Sequence, residues 1–234
     1  MNLIIDAGNT CIKLAAFKGD DPVEVCRVDY DELSKFGRFT TSYPFRRGIV
    51  SSVVDMPQSL EAAIAALPFD VVRLVPGVTP VPLRIKYATP HTLGADRLAA
   101  AVGAYAKGEG REVLVIDMGT CITYDFVNAD GEYLGGNISP GPKLRLKALN
   151  AYTSRLPLVS RHGDIPEMGD STETAIRSGV VNGIRREIEG YISDFLLKYP
   201  RLFVYLTGGV HLDLHISEKM RIFADDFIVP YGLN

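Results

Sequence analysis

One short pattern occurs twice in this chain. Ile4-Ile5-Asp6-Ala7-Gly8-Asn9-Thr10-Cys11-Ile12 stands near the start, and Val115-Ile116-Asp117-Met118-Gly119-Thr120-Cys121-Ile122 repeats it near the midpoint once Asn9 is taken as an insertion. Each copy is an apolar strand ending on an Asp, a Gly turn, a Thr and a second apolar strand, which reads as a tight hairpin. The spacing is too long for a solenoid repeat. It fits a duplicated unit: an α/β chain of two similar lobes, each opened by a hairpin whose turn faces a central cleft. The boundary falls in Lys107-Gly108-Glu109-Gly110, giving an N-terminal lobe of residues 1–110 and a C-terminal lobe of residues 111–234.

Composition removes several classes. The chain has 234 residues, 47% of them apolar, with 25 Lys+Arg against 28 Asp+Glu and a formal charge of −3. No basic stripe is present to neutralise phosphates, so no nucleic-acid partner is expected. Apolar runs are a few residues long, far below the ~18–20 that span a bilayer, so no membrane partner is expected either. The segment MNLIIDAGNT lacks a basic n-region and does not read as a signal peptide. Cys11, Cys26 and Cys121 are odd in number and form no C-x-x-C pair, which argues against a disulfide scaffold or zinc knuckle. A soluble chain in a reducing, cytoplasmic setting is the expectation.

Beyond the two hairpins, Val23–Val28, Gly48–Val54, Val71–Val75, Tyr124–Val127, Tyr133–Asn137 and Leu202–Leu206 read as strands, with a turn at Asp130-Gly131. Helices are predicted over Tyr30–Phe36, Met56–Leu67, Leu93–Lys107 and Thr172–Leu197. In the last, Ile176, Val180, Ile184, Ile188, Ile192 and Phe195 recur on one face. Asp170, three residues before Glu173, is its predicted cap. Lys143, Arg145 and Lys147 read as a solvated basic face, and His91, His162, His211 and His215, which lack metal spacing, as surface or satisfied residues.

A turn of Asp, Gly, Asn and Thr offers backbone N–H groups, a hydroxyl and a carboxylate held at the end of a rigid strand. Amides and hydroxyl suit phosphate oxygens; the carboxylate suits a metal ion or its water. Two such turns facing each other would grip a nucleotide's phosphates, and Lys13 could reach one as a point charge. A single turn of this kind also reads as a plain hairpin; the duplication, with Asp ending both strands, favours the functional reading. No Walker pattern and no G-x-G-x-x-G occurs. Gly94-Ala95-Asp96-Arg97 places an acid and a base in the first turn of a predicted helix. Asp96 there either complements the macrodipole or accepts a hydroxyl proton, with Arg97 binding an anion. Thr207-Gly208-Gly209 reads as a chain reversal or as a close backbone approach to a flat ligand.

Asp6-Ala7-Gly8-Asn9-Thr10 with Lys13, Gly94-Ala95-Asp96-Arg97, Asp117-Met118-Gly119-Thr120 and Thr207-Gly208-Gly209, taken in this order, resemble the type III pantothenate kinases. So do Ser51-Ser52-Val53, Gly135-Gly136-Asn137-Ile138-Ser139-Pro140-Gly141, Gly169-Asp170-Ser171-Thr172 with Ser178-Gly179, and Gly232-Leu233. That family belongs to the acetate and sugar kinase/Hsp70/actin superfamily, so the resemblance implies two actin-like (ribonuclease H-like) lobes. It implies ATP-dependent phosphorylation of pantothenate to 4'-phosphopantothenate, the first step of coenzyme A synthesis, with Mg2+ accompanying ATP. Carried over by position, Asp6, Ala7, Gly8, Asn9, Thr10, Cys11, Ile12 and Lys13 hold ATP phosphates, together with Thr120. Asp96 is the proton acceptor, and Tyr87, Gly94, Ala95, Asp96, Arg97 and Thr172 bind substrate. The resemblance likewise implies that Asp117 is the ligand of a monovalent cation, K+ or NH4+, and that the enzyme is a homodimer. Arg97 or the start of the Thr172 helix is expected to meet the pantothenate carboxylate. The rivals are a kinase of the same superfamily acting on another hydroxyl and a non-catalytic regulator built on this fold.

Overall fold

The structure, a computed structural model, describes residues 1–210, 212–214 and 221–234; His211 and His215 lie outside the described residues. Strands β1 (Asn2–Ala7), β2 (Ile12–Lys18) and β3 (Asp21–Val28) form an antiparallel meander. After α1 (Leu33–Ser42), β4 (Arg47–Ser52) pairs parallel with β1, and after α2 (Gln58–Ala65), β5 (Val71–Arg73) pairs parallel with β4. The short β6 (Arg84–Ile85) and a single 3-10 turn, Pro90–Thr92, precede α3 (Ala95–Lys107). The hairpin pattern then returns as β7 (Val113–Met118), β8 (Cys121–Val127) and β9 (Glu132–Pro140). They are followed by α4 (Pro142–Ala151), α5 (Thr172–Lys198), β10 (Phe203–Thr207), β11 (Ile222–Ala224) and α6 (Ile228–Leu233).

The strand orders carry the duplication. The first sheet runs β3-β2-β1-β4-β5 and the second β11-β10-β7-β8-β9-β6. Read backwards and without β6, the second order is β9-β8-β7-β10-β11, which repeats the first strand for strand. The echo of sequence is an echo of topology.

The chain forms two compact units. One comprises Met1–Val113, Asp125–Gly135 and Phe227–Asn234; the other comprises Leu114–Tyr124 and Gly136–Asp226. In the first unit, Leu3 and Ile5 of β1, Ile12 and Leu14 of β2 and Val50 of β4 pack against Phe36 and Phe39 of α1 and Leu60 and Ile64 of α2. Alternation sends Ile4 and Asp6 to the other face of β1, and all four residues Leu3 to Asp6 are buried. Burial of both faces explains why the run is apolar rather than alternating. α3 and α6 cross with their backbones in contact. A Cβ on Gly103 would lie 2.2 Å from the Ile228 carbonyl oxygen, and one on Gly232 would lie 1.9 Å from that of Ala99. Asn234 closes this end, donating to the Gly19 carbonyl at 2.9 Å and accepting from Asn2 at 2.8 Å.

In the second unit, the predicted face of α5 is the buried one, through Ile176, Val180, Ile184, Ile188 and Ile192. Its cap differs from expectation. The helix begins at Thr172, so Asp170 lies one residue too far out, and Ser171, in extended conformation, accepts the Thr174 N–H in a capping box. Asp170 instead accepts from the Thr174 hydroxyl at 3.0 Å. Helix α4 was not predicted; Pro142 occupies its first turn, where its missing N–H costs nothing. Lys143 and Lys147 are exposed as expected, but Arg145 is not a solvated residue. It binds the Pro140 carbonyl, Ser139 and the Glu187 carboxylate, which also accepts from Tyr124. The three cysteines are free and half-buried.

Candidate active site

Strand register assembles the first constellation. On β1, Asp6 lies opposite Lys13 of β2 and opposite Ser51 of β4, so the three side chains share one face of the sheet. Ser51 donates to Asp6 Oδ1 at 2.9 Å. Burial pushes the Asp6 carboxyl above its ordinary value; Lys13 and the Ser51 hydrogen bond pull it down, and the charge of Asp96 pushes it up again. The turn beyond is held mostly by other parts of the unit. Gly8 N–H donates to the Cys11 carbonyl at 3.1 Å, Val53 N–H donates to that of Ala7 at 3.2 Å, and the Tyr30 hydroxyl donates to that of Gly8 at 2.7 Å. Asn9 and Thr10 form its exposed tip.

The start of α3 supplies the second acid. Gly94 is the N-cap residue, and a Cβ there would lie 2.6 Å from Asp96 Oδ1. A glycine is therefore what lets Asp96 fold back over its own helix start, where Oδ1 accepts the Arg97 N–H at 2.8 Å. Burial raises the Asp96 carboxyl above its ordinary value, against the lowering effects of the Arg97 N–H, the Arg97 charge and Lys13. Asp6, Lys13 and Asp96 thus act on one another electrostatically within one unit. Sequence separation gave no direct sign of this meeting; parallel pairing and the α3 crossover produce it.

Arg97 does not point into solvent. Its side chain is 6% exposed and faces Asp125 of β8, whose own side chain is 1% exposed. Nε donates to the two carboxylate oxygens at 3.0 and 3.3 Å, and Nη2 lies 2.7 Å from Oδ1, out of hydrogen-bond alignment. The Tyr133 hydroxyl donates to the same Oδ1 at 2.6 Å. Burial works against the Arg97 charge, but the Asp125 carboxylate outweighs it and holds the guanidinium above its ordinary range. The guanidinium stands 6.0 Å from the centre of the Tyr87 ring, which packs 6.1 Å from that of Tyr133. Asp125, Tyr133 and the role of Ser51 lie outside what the sequence motifs point to. An acid inside the apolar strand Ile122–Val127 was the available signal, since a buried carboxylate requires partners.

The second turn lies in the second unit and closes in the same way, with Gly119 N–H donating to the Cys121 carbonyl at 2.9 Å. Backbone groups are among its supports. Gly141 N–H donates to the Thr120 carbonyl at 3.0 Å and Val210 N–H to that of Met118 at 3.1 Å. Gly208, at φ +100°, runs so close that a Cβ would lie 2.4 Å from the Met118 carbonyl and 2.5 Å from Asp117 Oδ1. The Thr207-Gly208-Gly209 segment is therefore a close backbone approach to Asp117 itself. Thr120 is exposed, Asp117 is half-buried, and Thr172 is an exposed residue at the start of α5. Among the described residues, no group of three or more His, Cys, Asp and Glu is arranged to hold a metal ion, and no helix is long and apolar enough to cross a membrane.

Comparison with known proteins agrees with these features. A family model described as Type III pantothenate kinase matches residues 2–194. A type III pantothenate kinase from Phocaeicola vulgatus is 49% identical over 234 residues, covering 100% of this chain and 96% of that protein. Among solved structures, a conserved Campylobacter jejuni protein described as a Baf family transcriptional activator superposes with a TM-score of 0.61 at 20% identity, covering 98% of this chain and 94% of that one. A Sinorhizobium meliloti protein described as a 2-dehydro-3-deoxygalactonokinase superposes with a TM-score of 0.55 at 13% identity, covering 100% and 97%. The two-lobed, actin-like kinase fold is common to them.

Proposed function

The chain belongs to the type III pantothenate kinase family, ATP-dependent enzymes that phosphorylate pantothenate in coenzyme A biosynthesis, and from that premise we propose which of its groups do the work. The proximity of Asp96 to Asp6 and Lys13 is the observation that carries the reading. Asp96 orients the primary hydroxyl of pantothenate and accepts its proton as the oxygen bonds to the γ-phosphorus. The bond from that phosphorus to the β–γ bridging oxygen breaks, leaving ADP and 4'-phosphopantothenate. Phosphoryl transfer asks mainly for positioning and charge neutralisation, so a carboxylate is an adequate acceptor. Its lift by burial brings it closer to that task.

Residues Asp6 to Lys13 take the ATP phosphates through backbone N–H groups and the Lys13 ammonium. Tyr87, Gly94, Ala95 and Arg97 shape the pantothenate pocket. Because Arg97 is already engaged by Asp125, its contribution is to wall the pocket more than to neutralise a distant carboxylate. Mg2+ accompanies ATP, and the Asp6 carboxylate suits the hard cation or its water shell. Asp117, a half-buried carboxylate near the end of its strand, suits a monovalent cation, K+ or NH4+. These ions supply charge neutralisation. A homodimer in the cytoplasm completes the reading, consistent with three unpaired cysteines.

A coupled assay for ADP release tests it. ADP release should depend on pantothenate and disappear in Asp96→Asn. Hydrolysis indifferent to pantothenate would overturn it. The non-catalytic alternative is the class of function given for the Campylobacter jejuni protein. It has no use for Asp6, Asp96 and Asp117 together, and all three are present.

A further inference from the structure

We propose that Asp125 is a positioning residue for pantothenate binding, fixing the Tyr87 ring through Arg97 on one side and Tyr133 on the other. The inference rests on the assignment of Tyr87 and Arg97 to the substrate pocket given above. Tyr87 needs such anchoring because it follows the two-residue β6 and lies in no helix or strand of its own. A loop-borne side chain holds its place only through what its ring and hydroxyl touch.

Two routes lead from one carboxylate to that ring. In the first, Asp125 binds Arg97 Nε at 3.0 Å, and the guanidinium stands 6.0 Å from the centre of the Tyr87 ring. In the second, Asp125 accepts from the Tyr133 hydroxyl at 2.6 Å, and the Tyr133 ring packs against Tyr87 at 6.1 Å and 58°. All four side chains belong to the first unit. Stability alone is a poor account of this arrangement. An ion pair so fully buried recovers little beyond its own desolvation, and apolar side chains of equal volume would hold the fold as well. What a carboxylate adds is direction: its two oxygens fix the plane of a guanidinium and the position of a phenol at once.

Steady-state kinetics of Asp125→Asn and Tyr133→Phe, with pantothenate and ATP varied separately and thermal melts alongside, test the proposal. Tyr133→Phe removes one hydrogen bond and should raise the pantothenate KM about fivefold, leaving the ATP KM unchanged. Asp125→Asn also strands a buried cation and should raise the pantothenate KM tenfold or more, again without moving the ATP KM. A folded Tyr133→Phe enzyme with an unchanged pantothenate KM overturns the proposal, whatever its melting temperature. If Asp125→Asn does not fold, Tyr133→Phe decides alone. Asp96→Asn serves as the control for the underlying reading. Its inactivity together with an unmoved KM in Tyr133→Phe sinks only the positioning role; full turnover in Asp96→Asn sinks the site assignment itself.

Discussion

The two hairpin turns share a sequence and a closing hydrogen bond, yet different groups are packed against them. Around Asp6 the supports include side chains: the Ser51 and Tyr30 hydroxyls and the charge of Lys13. Around Asp117 the glycine backbones of residues 141 and 208 are pressed to within a methyl's width. A duplicated ancestor thus diverged in what surrounds each copy rather than in the copies themselves. The first turn is tunable, since charges and hydroxyls can be changed one at a time. The second is a steric fit that tolerates almost nothing.

The largest effect expected is on the tunable side. Asp96→Asn should cut pantothenate phosphorylation by about 10²–10⁴-fold. The same change should raise the melting temperature, because burial makes the ionised carboxylate costly in the folded state. Loss of both activity and stability would break the contrast. Next in size is Gly208→Ala. It forces a side chain into a positive-φ backbone against the Met118 carbonyl, which should cost about 3 kcal/mol and lower the melting temperature by roughly 6–12 °C. Ser51→Ala, which strips the hydrogen bond from a buried carboxylate, should cost about 1.5–3 kcal/mol in a urea titration. Tyr30→Phe should cost only about 1 kcal/mol.

The smallest effect sharpens the contrast most. Lys13 lowers both Asp6 and Asp96, so Lys13→Met should move the acid limb of the normalised kcat/KM profile to higher pH. The stability profile has the matching sign. Both acids are raised in the folded state, so folded chains bind more protons than unfolded ones from the ordinary value of 3.8 up to the raised values. Across that window stability should fall as pH rises, and the double change of Asp6 and Asp96 to Asn should flatten the slope.

The sequence made the strands legible where local pattern and tertiary role coincide. Both hairpins, with Asp at the end of the first strand, announce themselves by repetition, and α5 by its spaced isoleucines. What escaped was decided by partners distant in the chain. Helix α4 is masked by its charges, one of which, Arg145, turns inward to Glu187. Helix α6 contains Pro230 and Gly232, poor helix formers that are acceptable here because the helix is short and Gly232 is where it meets α3. Asp125 stands out as an acid in an apolar strand, but nothing local reveals that its partners are Arg97 and Tyr133. The cap of α5 moved by one residue for a simpler reason, since a Ser in extended conformation stands directly before the first helical residue.

The crossing of α3 and α6 restricts how this sequence can drift. At Gly103 and at Gly232 the obstacle to a methyl group includes a main-chain carbonyl, so no trimming of a neighbouring side chain could make room. The two positions are locked as a pair, and alanine at either has no second-site suppressor within the crossing. The helix that presents Asp96 therefore inherits its mutational brittleness from a segment remote in the chain.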